Sequence, residues 1–218
     1  MIDWLLNEFP TWFATGLYHI LDLDGYDHML FLWCLCIRYT LNSWKSVIVL
    51  VSAFTLGHCI TLVACSTGYL TLPATWVELS IAITIFISAI LPFLKAIGNS
   101  TNISFSMLSA IEKTSKSYYL MALVFGFIHG MGFSNLLIEL LGKESDVAGP
   151  LFAFNVGIEF GQLLYVLAIL SIASFLQSIK TSFYSTFITV SLFIGILLSL
   201  PMIVERVITL TVRSIICF

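Results

Sequence analysis

The sequence predicts an all-α membrane protein, a polytopic bundle of about six transmembrane helices with an N-terminal interfacial or re-entrant segment. Only 10% of its 218 residues are charged and 59% are hydrophobic, whereas about a quarter of the residues of a soluble domain are charged. The apolar residues occur in long runs, as a bilayer core requires. The formal charge of −3 is too small to indicate a nucleic-acid partner.

Hydropathy divides the chain into an N-terminal segment and six spans, which together form a single transmembrane domain over residues 1–218. Residues 4–21 are apolar but contain Pro10, and no basic region typical of a signal peptide precedes them. Whether this segment crosses the bilayer is left open. The predicted spans cover residues 26–40, 44–66, 74–97, 117–141, 149–178 and 183–204. The polar linker 98–116 predicts a loop.

Lys and Arg residues in short loops orient such a bundle, because they stay on the cytoplasmic side. The loops after the first, third and fifth spans carry or adjoin Arg38, Lys45, Lys95, Lys113, Lys116 and Lys180. These loops are predicted to face the cytoplasm, and the N-terminal segment to face outside. Arg206 and Arg213 would follow the last span on the outer side, so the C-terminal stretch is alternatively an amphipathic surface helix.

All four histidines lie in or at the edge of apolar segments. They are His19, His28, His58 and His129. An ionisable group inside a membrane costs about 2.5–3.5 kcal/mol on insertion scales and is retained mostly where it pairs or functions. A hydrogen bond between helices explains one such histidine, whereas four of four indicate a functional cluster.

Depth along the helices brings acidic residues to the layer of these histidines. With a rise of 1.5 Å per residue, His58 and His129 each lie about 20 Å from the cytoplasmic ends of their spans. Asp27, Glu78 and Glu159 reach a similar level from the outer side. We therefore expect these side chains to converge in one layer of the bundle.

The types of residue in this layer favour a metal site. Imidazole with carboxylate, and without a set of thiolates, suits a divalent first-row metal such as nickel, cobalt, zinc or copper. The predicted ligands are His19, Asp27, His28, His58, Glu78, His129 and Glu159. Side chains on the same helical faces are predicted to support the ligands by hydrogen bonds, namely Thr55, Thr61, Asn155 and Gln162.

Two pairs of His and Glu segments suggest an internal repeat. FTLGHCITL is followed by WVELSIA, and FGFIHGMGF is followed by NVGIEFGQ. Each pair joins an outward span that carries a histidine to an inward span that carries a glutamate. Transporters often contain such repeats, with the site at the repeat interface.

Five segments carry a resemblance to a known family. In order, they are HILDLDGYDHMLFLWCL, FTLGHCITL, WVELSIAITI, FGFIHGMGFS and FNVGIEFGQL. Over about residues 16–170 the chain resembles the HupE/UreJ family of bacterial membrane proteins, whose members are described as secondary nickel or cobalt permeases. The resemblance implies a multi-pass protein of the bacterial inner membrane, and by motif match it assigns the seven predicted ligands as site residues.

Three functions are compatible with these observations. The first is a secondary transporter of a divalent transition-metal cation such as nickel, cobalt or zinc. The second is an intramembrane metal-dependent hydrolase with Glu159 or Glu78 as catalytic base, although no HExxH motif is present. The third is an accessory subunit whose polar residues join helices. The expected partners are a metal ion and membrane lipids, and a homo-oligomer is left open.

Overall fold

The chain folds as a bundle of helices without β-strands over the residues that the computed structural model describes, which are 4–23, 25–99, 116–141 and 147–216. The α-helices are α1 (Phe9–Leu21), α2 (Asp27–Cys36), α3 (Trp44–Ser66), α4 (Ala74–Asn99), α5 (Lys116–Leu141), α6 (Ala148–Ile179) and α7 (Thr181–Ile216). A π-helical turn at Trp4–Glu8 precedes α1, and a 3₁₀ turn at Leu41–Ser43 precedes α3. Helices α3 to α7 each contain a stretch long and apolar enough to cross a membrane. The predicted all-α membrane bundle is confirmed.

The helices α1 and α2 together make a single interrupted traverse of the bundle. At 13 and 10 residues they are about 20 and 15 Å long, so neither crosses a hydrocarbon core of about 30 Å alone. Both run parallel to α6, since Ile20 lies beside Gly161 and the Leu41 amide donates to Ser174 Oγ at 2.8 Å. The helix α2 is therefore shorter than the predicted span 26–40, and α1 supplies the rest of the traverse.

The interruption has a local cause in the residues between the two helices. Asp22 ends α1 in an extended conformation, with φ −70° and ψ 124°, and Gly25 follows before α2 begins. Asp and Gly both have low helix propensity. Because Ile20 contacts Gly161, the interruption lies about 20 Å along α6 from its first residue, Ala148.

Two helix pairs approach each other closely through glycines. The pair α3–α5 contains Gly57 and Gly126, and the pair α1–α6 contains Gly16 and Gly157. A Cβ atom at any of these four positions would overlap a backbone carbonyl of the opposite helix. Small residues allow such close approach in lipid, where packing rather than hydrophobicity holds helices together.

The antiparallel helices α4 and α7 form the remaining large contact. Arg206 Nε lies 3.2 Å from Glu78 Oε2, and Arg213 Nη1 donates to Thr75 Oγ1 at 3.2 Å. The helix α7 is continuous over 36 residues. The alternative of a separate surface helix for the C-terminal stretch is therefore wrong, because both arginines extend the last helix and bind α4.

Candidate metal centre

Three histidines from three different helices meet inside the bundle. His19 lies near the end of α1, His28 in the first turn of α2 and His58 in the middle of α3. One ring nitrogen from each can be chosen so that all three lie within 4.8 Å of one another. The interruption between α1 and α2 allows this meeting, because it brings His19 and His28 to within 4.7 Å between ring centroids. The predicted convergence of these three imidazoles holds in the structure.

Several nitrogens of these rings are buried without a hydrogen-bond partner in the described part of the chain. They are His19 Nε2, His28 Nε2 and both ring nitrogens of His58. His58 is 0% exposed and His28 is 4% exposed. More than about 90% of buried polar groups in native proteins have a partner. A cluster of unpaired imidazole nitrogens is therefore what a site for a metal ion requires.

Asp27 orients His28 instead of joining the cluster itself. Its Oδ1 accepts a hydrogen bond from His28 Nδ1 at 3.0 Å and another from the His28 amide at 2.9 Å. The proton therefore resides on Nδ1, which leaves the Nε2 lone pair free for a metal. Carboxylates commonly hold metal-binding histidines in this way. Asp27 was predicted as a ligand, and its position makes it the residue that fixes the His28 tautomer.

His129 borders the three-histidine cluster from α5. Its ring lies 5.1 Å from His28 between centroids and is 0% exposed. Thr84 Oγ1 donates its single proton to the Ile81 carbonyl at 2.7 Å. Thr84 Oγ1 also lies 2.9 Å from His129 Nε2, and with the hydroxyl proton placed on Ile81 the donor in this contact is Nε2. The other nitrogen, Nδ1, is buried and has no hydrogen-bond partner among the described residues.

Glu78 lies away from the cluster and leaves the predicted ligand set. It forms the ion pair with Arg206, and its side chain is 43% exposed. The position of Glu78 along α4 predicts its depth in the bundle but not the direction in which its side chain points. The face of α4 that carries Glu78 is turned toward α7, whereas the face that carries Thr84 is turned toward His129.

Glu159 lies in a second polar region, between α3 and α6. Its Oε1 accepts a hydrogen bond from Ser52 Oγ at 2.5 Å. Two further pairs join the same helices, with Thr55 donating to Gln162 Oε1 at 2.9 Å and Cys59 donating to Asn155 Oδ1 at 2.7 Å. Except for Gln162, these side chains line a groove of about 460 Å³ between the two helices. Glu159, Asn155, Gln162 and Thr55 were predicted at the metal site, and they instead form this separate region.

The remaining side chains around the cluster divide into predicted and missed residues. Thr61 was predicted to support the ligands, but its hydroxyl bonds the carbonyls of Gly57 and His58. Ser52, Cys59 and Thr84 were missed. Ser52 and Cys59 share a face of α3 with Thr55, so the spacing was a usable signal. Thr84 lies on an apolar helix among other hydroxyl residues and gave no such signal.

Aromatic rings enclose the cluster on its other sides. Phe133 lies 3.9 Å and Phe154 5.8 Å from His19 between ring centroids. Phe54 lies 6.2 Å from His58. The three imidazoles are therefore surrounded by apolar rings on these sides. A borderline divalent metal suits such a nitrogen-rich site better than Mg²⁺ or Ca²⁺, which prefer oxygen ligands.

The comparison with known protein families agrees with the sequence resemblance. The family described as HupE / UreJ protein matches residues 3–206, which is nearly the whole chain. Neither a curated protein nor a solved structure matches the chain. Because the family match covers nearly the whole chain, the chain belongs to the HupE/UreJ family, which is linked to nickel and cobalt transport.

Proposed function

We propose that the chain is a secondary transporter for a divalent metal ion of the nickel and cobalt class, which binds among His19, His28 and His58. The observation that carries this proposal is the convergence of free imidazole lone pairs at the interruption between α1 and α2. Transporters commonly bind their substrates near the bilayer midplane, at helices that are broken there.

The charge of the site supports reversible binding. Imidazole ligands add no negative charge, and the Asp27 carboxylate accepts a hydrogen bond from the His28 ring. A divalent ion in this site would keep a net positive charge after pairing with Asp27. Because uncompensated charge is costly in a medium of low dielectric constant, the ion would be held less tightly than in a structural site with several thiolates. A transported ion must leave its site, so this balance suits a permease.

Access to the site is supported by Asp27 and its neighbours. The Asp27 side chain is 26% exposed while it contacts the buried His28 ring. Asp22, at the end of α1, is exposed. A partly exposed carboxylate next to a buried ligand provides a first contact for a cation that enters from water. We infer that the ion reaches the histidines through the interruption between α1 and α2.

The two carboxylates named as bases for the hydrolase hypothesis do not belong to the three-histidine group. A metal-bound water needs a carboxylate or another base within hydrogen-bond reach. Glu78 pairs with Arg206 and Glu159 pairs with Ser52, and neither belongs to the three-histidine group among the described residues. The two residues named as bases for that hypothesis are thus engaged elsewhere, which favours transport.

Uptake of metal into vesicles tests the proposed function. We expect purified protein in liposomes to take up Ni²⁺ and Co²⁺ with saturation and with mutual competition, measured with a metal-sensitive dye inside the vesicles. An excess of Mg²⁺ should not compete, because imidazole ligands discriminate against hard cations. Protein-free vesicles serve as the control. Absence of uptake, or equal competition by Mg²⁺, would contradict the proposal, and release of a soluble product without uptake would favour a hydrolase.

A further inference from the structure

The helix pair α3–α5 contains two reciprocal backbone contacts. Gly57 of α3 faces the Leu123 carbonyl and the Phe127 amide of α5. Gly126 of α5 faces the Phe54 carbonyl of α3 in return. Gly130, one turn further along α5, faces the carbonyl of His58, one turn further along α3, so the two helices run parallel.

The helix pair α1–α6 makes the same contacts at equivalent positions. Gly157 of α6 faces the Phe13 carbonyl and the Leu17 amide of α1, and Gly16 of α1 faces the Phe154 carbonyl of α6. Residue numbers of equivalent positions differ by 110 between α1 and α5 and by 100 between α3 and α6. The contacts of one helix pair therefore match those of the other pair position by position, with α1 equivalent to α5 and α3 equivalent to α6.

The sequence agrees with this correspondence. AFTLG at 53–57 matches AFNVG at 153–157, and GLYH at 16–19 matches GFIH at 126–129. His19 is thus the counterpart of His129. The repeat predicted from the His and Glu segments paired α3 with α5, and the contacts correct that pairing, because α3 and α5 are neighbours from different halves of the repeat.

The two halves have opposite directions in the bundle. The helices α3 and α6 are antiparallel, since Cys59 bonds Asn155 and Ser52 bonds Glu159. Equivalent helices therefore run in opposite directions, which defines an inverted repeat. The last helix of each half, α4 or α7, packs antiparallel against its counterpart.

The rings at the metal centre follow the same correspondence. If residues 22–26 are an insertion, the ten residues of α2 correspond to 132–141 of α5, and His28 corresponds to Phe133. The centroid distances around His129 are 5.1 Å to His28 and 5.2 Å to Phe54, and those around its counterpart His19 are 3.9 Å to Phe133 and 5.8 Å to Phe154. The contact His28–His129 thus has Phe133–His19 as its counterpart, in which a phenylalanine takes the place of one histidine.

We propose that the chain is an inverted repeat of α1–α4 and α5–α7, and that His28 and His129 form a second position for the metal ion beside the three-histidine position. His28 Nε2 and His129 Nδ1 are both buried and have no hydrogen-bond partner in the part of the chain that the structure describes. His28 faces both positions, at 4.7 Å from His19 and 5.1 Å from His129 between ring centroids. This inference rests on the proposed transport function, in which the ion passes from one position to the other as the two halves move.

Comparison of His129→Gln with His19→Gln tests the second position. Co²⁺ binding to the purified variants is measured by absorption spectroscopy, and Ni²⁺ uptake is measured in vesicles. We expect His129→Gln to keep Co²⁺ affinity near that of the wild type. Uptake should fall about tenfold or more, which is the loss typical for removal of a residue that supports a metal ligand. His19→Gln should weaken both. Equal loss of Co²⁺ affinity in the two variants, or unchanged uptake by His129→Gln, would overturn the second position.

A gain of binding provides a test that does not depend on transport. Phe133→His places an imidazole beside His19 at the position equivalent to His28, with Phe133→Leu as the matched control for loss of the ring. We expect Phe133→His to bind Co²⁺ about tenfold more tightly than Phe133→Leu, since each added ligand strengthens a site. Equal affinity of the two variants would contradict the repeat. If wild-type vesicles take up no metal, the transport function fails, whereas this comparison still decides the repeat.

Discussion

Replacement of His28 by alanine should abolish specific metal binding, with an affinity for Co²⁺ or Ni²⁺ reduced by about 100-fold or more, beyond the loss typical for residues that only support a ligand. His28 is the imidazole that faces both His19 and His129. Its removal also takes away the ring nitrogen that donates to the Asp27 carboxylate, which then keeps only the hydrogen bond from the backbone amide of residue 28. Metal binding to the purified variant, measured by titration calorimetry, checks this expectation.

The matched control for this variant is Tyr18→Ala. Tyr18 precedes His19 on α1 and is 71% exposed, so its removal deletes a large ring without touching the cluster. We expect Tyr18→Ala to bind metal as the wild type does. If His28→Ala retains wild-type affinity while it folds normally, the three-histidine site is not where the ion binds.

Replacement of Gly57 by alanine should produce a large loss of stability. The added Cβ would overlap the Leu123 carbonyl and lie 2.9 Å from the Phe127 amide nitrogen, and these backbone atoms of α5 move only with the whole helix. Overpacking typically costs 1–3 kcal/mol, so we expect about 3 kcal/mol here. Metal binding should fall as well, because His58 is the next residue. Thermal unfolding in detergent measures the first effect.

Gly132→Ala is the control on the opposite helix of the same pair. The atom closest to its Cβ would be the end of the flexible Ile81 side chain, at 2.8 Å. We expect the melting temperature of this variant to stay close to that of the wild type. Equal melting temperatures of Gly57→Ala and Gly132→Ala would contradict the close packing of α3 on α5 at Gly57, because the gain in helix propensity from glycine to alanine is the same in both variants.

The long helices were predictable because their apolar runs exceed the thickness of a bilayer. The interruption between α1 and α2 was not, because hydropathy does not register a break that only five residues make. Residues 22–26 contain Asp22 and Gly25, which are signals of a helix end. Read alone, however, they leave open whether residues 4–21 cross the bilayer and do not indicate a traverse shared with α2.

The sequence predicts how deep the residues of the candidate site lie in the bundle, but not the direction in which their side chains point. A rise of 1.5 Å per residue placed His58 at the right level, and it does meet His19 and His28. The same arithmetic included Glu78 and Glu159, whose side chains point to Arg206 and Ser52. The rotation of each helix depends on its packing against neighbours, which a single sequence does not specify.

The central claim is that three imidazoles share one metal ion, and X-ray absorption spectroscopy of the purified protein loaded with Ni²⁺ tests it most directly. We predict one ion per chain with scattering from three histidine rings, and one ring fewer in His58→Ala. A shell made of oxygen atoms alone, or a spectrum that His58→Ala leaves unchanged, would contradict the account.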